Sequence, residues 1–424
     1  MTTFPNSDPM KFQMASASSK RRRGPTFVIG LFGVLTVAQT PALAAEAPHW
    51  TPLLDARLRY ETVDQTGFTK DADAVTARVR AGLQFTNGDV SILGEAEGTL
   101  TLSEHYNSTT NGKTTYPVVA DPENAELNRL QIQYTGINDT TFTLGRQRIN
   151  IDDQRFVGSV GWHQNEQTFD AIRVETTALG PLKADVTYSW ADHTIFGYDS
   201  AIQSISGSNV FATLSAEVSK VTLEGFAFLV AQHEFGRRQF SSQTYGLRAS
   251  GKFVLTMDAS LALAASYATQ ADWKDNPNDY KADYWLADAT LSLGKLDLNA
   301  AYEILGADTG TANTSFQTPL ATLHKFQGWA DKFLTTPANG IRDLQGGASY
   351  ALGKISVFGP VKLVTAYHQF DSDIGSINYG HEWDAQIVMK PRPDTTIIAK
   401  FADYKADTFS TDTQKIWIEI GYSL

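Results

Sequence analysis

The sequence has no cysteine. That excludes a disulfide framework, a thiol nucleophile and any zinc site built on thiolates, and it fits an oxidising compartment. Apolar runs long enough for a membrane helix are also missing: Phe27 to Ala38 is too short to span a bilayer comfortably, and the remainder contains none that is long enough. Basic residues are in deficit, with 35 Lys and Arg against 46 Asp and Glu, which argues against nucleic acid as a partner. A membrane protein of this kind has one option left. Without helices to cross the bilayer, it must cross as a closed β-barrel.

Near the start, Lys20, Arg21, Arg22 and Arg23 precede that short apolar run, and Ala42-Leu43-Ala44 supplies the small residues of a cleavage site. Residues 1–44 are therefore predicted to be a cleaved signal peptide and residues 45–424 the mature domain. Cleavage takes away five basic residues (Lys11, Lys20, Arg21, Arg22, Arg23) and one acid (Asp8), leaving 30 against 45, a balance of −15.

Strict period-two alternation fills the rest. In the last eleven residues, Ile416, Ile418, Ile420, Tyr422 and Leu424 fall on one side of an extended strand, while Lys415, Trp417, Glu419, Gly421 and Ser423 fall on the other. From Leu54, small and apolar residues alternate with Asp55, Arg57, Arg59 and Glu61, four consecutive charges on one face. The face Val75 to Phe85 alternates with one carrying Arg78 and Arg80, Asn87-Gly88 marks a hairpin turn, and the next strand carries Glu95 and Glu97. Continued to Leu424, this pattern predicts about eighteen strands in which long and short connections alternate. A soluble sandwich has no reason to sort its loops by parity, whereas a barrel has tight turns at one rim and long loops at the other. The expected fold is all-β, a transmembrane antiparallel β-barrel in the outer membrane of a Gram-negative bacterium. Outer-membrane lipid is then one partner. The barrel assembly machinery is another, because Gln414 to Leu424 resembles the terminal strand that such barrels present to it, with Leu424 where Phe is usual.

The stretch Leu144 to Val174 reads LGRQRINIDDQRFVGSVGWHQNEQTFDAIRV. Alternation fails at Gly145-Arg146-Gln147-Arg148, and a bulge at Gly145 is expected to restore the register. With Asn128-Arg129-Leu130 before it, this stretch resembles the alginate-export family of outer-membrane barrels, whose members carry a similar LGRQ strand, an R-x-VG step and a TFD-x-x-R strand. The resemblance implies a monomeric, porin-like eighteen-strand barrel through which an anionic chain passes along arginines.

Arg57, Arg59, Arg78, Arg80, Arg129, Arg146, Arg148, Arg155 and Arg173 crowd the first part of the chain and are the candidates for lining a solute path. Two readings stand side by side. Guanidinium forks in a lumen bind carboxylates bidentately and attract acidic solutes such as uronates. The same arginines paired with Glu95, Glu97, Asp152, Asp153, Glu166 and Asp170 brace the wall instead. The segment Ile151 to Gln167 is a candidate constriction loop, with Arg155 expected at its narrowest point; an ordinary surface loop is the alternative. An enzyme is the competing class, on the outer wall, and its nearest candidates are His163 with Glu166 and His105 with Ser103. Neither carries a nucleophile motif, and neither offers a third metal ligand at recognisable spacing. A structural barrel is the third class. The reading is thus a non-enzymatic, cofactor-free passive channel for hydrophilic, anionic solutes, with export or uptake of acidic poly- or oligosaccharide in view.

Overall fold

A computed structural model describes residues 47–424, so the expected signal peptide lies outside the described residues. The chain runs β1 (His49–Gln65), β2 (Ala72–Asn87), β3 (Val90–His105), β4 (Asn124–Ile137), β5 (Thr140–Gln147), β6 (Thr168–Leu179), β7 (Leu182–His193), β8 (Ser204–Val218) and β9 (Val221–Val230). It continues through β10 (Ser242–Val254), β11 (Ala259–Asp272), β12 (Lys281–Leu293), β13 (Leu296–Leu305), β14 (Ile341–Lys354), β15 (Pro360–Asp371), β16 (Asn378–Arg392), β17 (Thr395–Ala406) and β18 (Thr413–Ser423). Each strand pairs antiparallel with its neighbours in chain order, and β18 pairs with β1 from Asp55 opposite Ser423 to Gln65 opposite Thr413. The eighteen-stranded sheet is therefore closed. Closure satisfies every ladder hydrogen bond within the sheet and leaves no edge, the condition for a sheet to sit in hydrocarbon.

Alternation makes the two faces. Along β18, Ile416, Ile418 and Ile420 point outward at 39%, 50% and 46% exposure, and Trp417 between them is fully buried toward the lumen. Along β2, Val79 and Leu83 are outward while Arg78 and Arg80 are buried inside. Tyr267 packs against Trp285 and Tyr367 against Trp383 with tilted rings on the outer face, as an interfacial aromatic belt requires. The short connections have two to five residues and the long ones six to 35, in strict alternation, so all long loops gather at one rim. Among the described residues no helix is long and apolar enough to cross a membrane; the strands do the crossing.

The expected bulge at Gly145 is not there. Gly145 stays in register with Gln131 of β4 and Ala171 of β6, and the register shift between β4 and β5 lies between Tyr134 and Ile137 instead. The glycine accommodates the strain by a φ of 114°, and β5 simply stops two residues later, at Gln147. With the parity unbroken, Arg146 falls opposite Leu130 and Asp170, on the outward face shared with Leu144.

Two of the long loops, residues 148–167 and 306–340, turn into the barrel. Both are too apolar to remain in water: Ile149, Val157, Phe316, Leu320, Trp329 and Phe333 are all buried, packed against inward-facing Phe211, Phe228, Tyr284 and Trp417. Each such side chain contributes about 1.5–3 kcal/mol on burial, so the core of this barrel lies inside its lumen.

Candidate functional site

The inward charges of β18, β1, β2, β3 and β4 form one continuous wall. Arg59, 1% exposed, donates to Glu419 Oε2 from Nε at 3.1 Å and from Nη2 at 2.7 Å, and its Nη1 reaches Asp121 Oδ2 at 3.1 Å. Arg129 grips Glu95 with both arms, Nε to Oε1 at 2.8 Å and Nη2 to Oε2 at 2.7 Å. Arg80 pairs with Glu97 and, at 3.0 Å, with Glu166. Glu166 also accepts from Arg148 Nε at 2.5 Å and Asn128 Nδ2 at 2.6 Å. Burial alone would raise its carboxyl, but the charges of Arg148 and Arg80 and the bond from Asn128 overcome this and hold it at about 2. Most of the wall is thus braced. Arg78 is the exception: it meets Asp55, its Nε and Nη1 find no partner among the described residues, and it stands directly opposite Arg57 across the ladder.

The 148–167 loop does fold inward. Arg57 donates to the carbonyls of Trp162 at 2.8 Å and of Gly161 and His163 at 3.2 Å, and Thr99 Oγ1 donates to Asn165 Oδ1 at 2.7 Å. On its other side Phe156 packs on Phe226, Phe228, Tyr284 and Phe316. The loop's anchors reach strands half a turn of the barrel apart: Asn128 on β4 holds Glu166, and Glu303 on β13, nine strands further round, holds Arg155. It therefore spans the lumen.

The 306–340 loop completes the crossing. Gly158 and Thr322 N–H groups donate to Leu320 and Gln154 carbonyls at 2.9 and 3.1 Å, and Trp162 stacks on His324 at 4.4 Å. Its tip rests on β16 and β18, where the Ala330 N–H donates to Glu382 at 2.7 Å and Asp331 pairs with Lys415 at 2.8 Å. At Gly328, with φ 78°, a Cβ would lie 2.4 Å from the Glu382 carboxylate, so only glycine permits this approach.

Of the nine arginines named from sequence, Arg57, Arg59, Arg78, Arg80, Arg129, Arg148 and Arg173 lie on the lumen side, the last paired with Asp185. Arg146 does not: on the outward face it pairs with Asp170, itself 2.9 Å from His193. Arg155, expected at the narrowest point of a path, is instead sealed within the loop seam at 1% exposure, bonded to Glu303, Thr318 and Gln327. The suggested catalytic pairs do not meet. His163 bonds Asp121 while Glu166 is taken by arginines, and His105 stacks on Tyr116 while Ser103 donates to the Asp73 carbonyl. Among the described residues no group of three His, Asp or Glu could hold a metal. Sequence reading missed Asp121, Glu303, Glu419 and Lys400, and the inward course of residues 306–340. A signal for the last was present in the five large apolar residues Phe316, Leu320, Phe326, Trp329 and Phe333 of one long loop.

Residues 54–192 match the sequence profile of the alginate export family. That segment runs from β1 into β7 and carries all nine arginines. No curated protein matches in sequence. Among solved structures, OccK9 (OpdG) of Pseudomonas aeruginosa is similar at 13% identity and a TM-score of 0.69, over 88% of this chain and 98% of that one. OpdK of the same organism, an outer membrane protein solved with vanillate, is 12% identical with a TM-score of 0.65 over 88% and 98%. OccAB4 of Acinetobacter baumannii is 12% identical with a TM-score of 0.65 over 90% and 99%. At such identities the likeness establishes the fold alone: a closed, eighteen-stranded antiparallel β-barrel.

Proposed function

We propose that this protein is a passive channel for hydrophilic solutes with a preference for anions, acidic saccharides in particular. Arg78 is the observation that carries the anion preference. A buried guanidinium with two unpartnered nitrogens, in register with a second arginine, is an arrangement that like-charge repulsion disfavours and that a carboxylate reaching it once the loops withdraw relieves. The other arginines, being paired with carboxylates, serve the wall. The alginate export match over residues 54–192 supports an acidic saccharide, and OpdK, solved with vanillate, shows the same fold beside an organic carboxylate.

Reversal potential in a salt gradient tests this. The native channel is expected to favour anions, Arg78→Gln to weaken that preference, and an oligouronate to block the current. A cation-selective native channel would overturn the reading. A closed structural barrel is the second reading, favoured by loops that cross the lumen; absence of current under every condition would establish it.

The proposal extends to processing and assembly. The mature chain begins at Ala45, works as a monomer, keeps both ends at the periplasmic rim, and is delivered to the assembly machinery by β18. Tyr422→Asp places a charge on the lipid face of that strand and is expected to deplete the heat-modifiable form from outer-membrane fractions. Undiminished levels would mean that the strand is not the assembly signal.

A further inference from the structure

Two of the buried cations that touch the inward loops are bound in opposite ways. Arg155 has a carboxylate, Glu303, at 2.7 Å. Lys400 of β17, 5% exposed, has none at ion-pairing distance among the described residues; the charges of Asp384, Asp331 and Glu382 act on it only from further off. Its Nζ lies 4.0 Å over Trp162 of one loop, 3.7 Å over Trp329 of the other and 5.3 Å over Trp417 of β18, and 2.6 Å from His324 Nε2. Ring faces and one imidazole nitrogen replace the hydration of an ammonium only in part. Opening the box returns that hydration.

The loops themselves are joined too closely to part. Gly158 of one packs so tightly on Thr322 of the other that a Cβ would lie 2.3 Å from its hydroxyl. Val160, a β-branched residue, is held at a φ of 52° with its N–H on Thr322 Oγ1 at 3.1 Å. Such a backbone persists only where neighbours enforce it, so the seam between the loops is part of their folded form.

We propose that the two inward loops leave and return as one plug, and that the Lys400 ammonium, buried among three indoles with no carboxylate at ion-pairing distance, drives the release. This gives the channel reading a gate, and it rests on that reading only for its consequence in current. Replacing the lysine by an apolar side chain of similar length then tightens the plug, whereas a merely structural lysine would loosen it when lost.

Amide exchange on the full chain in detergent tests the idea apart from conductance. In Lys400→Met, exchange is expected to slow at least tenfold in both residues 148–167 and residues 306–340, with the strands unchanged. A second variant, Thr99→Cys with Asn165→Cys, pins the first loop to β3 by a disulfide in a chain that has no other cysteine; its oxidation is expected to slow exchange in the second loop as well, and dithiothreitol to reverse this. Faster exchange in Lys400→Met, or a change confined to one loop in either variant, would overturn the proposal. Coupled slowing with no current from any form would uphold the plug and overturn the channel. Current from the native protein with uncoupled loops would do the reverse.

Discussion

Arg155→Met is expected to undock both inward loops, weakening their docking by about 3–5 kcal/mol, because removing one partner of a buried ion pair strands the other. Here the stranded group is Glu303, buried at 5% exposure, which among the described residues retains only uncharged donors, Tyr284 at 2.7 Å and Gln327. The substitution also removes the bonds from Arg155 to Thr318 and Gln327 that tie one loop to the other. At 1.4 kcal/mol per tenfold, the released fraction rises by roughly 140- to 3,700-fold. Trypsin reads this directly, since Lys325 and Lys332 lie in the second loop and become cleavable while the barrel stays heat-modifiable. An unchanged cleavage rate would show that the loops do not depend on this pair. The contrast with Lys400→Met is instructive, since two buried cations are expected to respond with opposite signs. The difference is the carboxylate: a paired charge is costly to break, and an unpaired one is costly to bury.

Acid is expected to release the same loops. Burial is the main reason that His324 is held down at about 3, with the Lys400 charge acting in the same direction and Asp331 against it. The docked ring is therefore neutral at neutral pH, while a released ring titrates near 6.5. Below about 6.5 the released loop takes up a proton that the docked loop refuses, so docking weakens as pH falls, by up to about 1.4 kcal/mol per unit, until the docked ring itself titrates. Glu166 acts with the same sign lower down: held at about 2 when docked, it favours docking above the ordinary carboxylate range and loses that contribution as pH falls toward 2. Between pH 6.5 and 4.5 the imidazole alone weakens docking by about 2 kcal/mol. Exchange rates of residues 306–340 measured from pH 7.5 to 4.5, corrected for intrinsic rates, check this. His324→Asn is expected to flatten the profile in that window; a slope that survives the substitution would assign the acid response to other groups.

The wall was legible in the sequence because its code is local. Lipid outside and water inside impose a period of two on every strand, so Asp55, Arg57, Arg59 and Glu61 announce an inward face before any partner is known. Strand number and the sorting of loops by parity follow from the same repeat. Even the pairing of Arg80 with Glu97 could be anticipated, because a two-residue hairpin fixes which residues stand opposite. At Gly145 the local code misled: the run Gly145-Arg146-Gln147-Arg148 reads as a register break, whereas the strand ends there and leaves Arg146 outside.

The sequence by itself determined the barrel, its two faces and the crowding of arginines in its first strands. Only the tertiary structure decided which carboxylates those arginines meet and what fills the lumen. Arg59 finds Glu419 from 360 residues away because the barrel closes β18 onto β1, and Arg155 finds Glu303 because a loop crosses to the far wall. Neither contact has a periodicity to betray it. Loops entering a lumen follow no repeat; they are placed by burial of scattered residues such as Phe156, Trp162 and Trp329 against surfaces that exist only once the cylinder has closed.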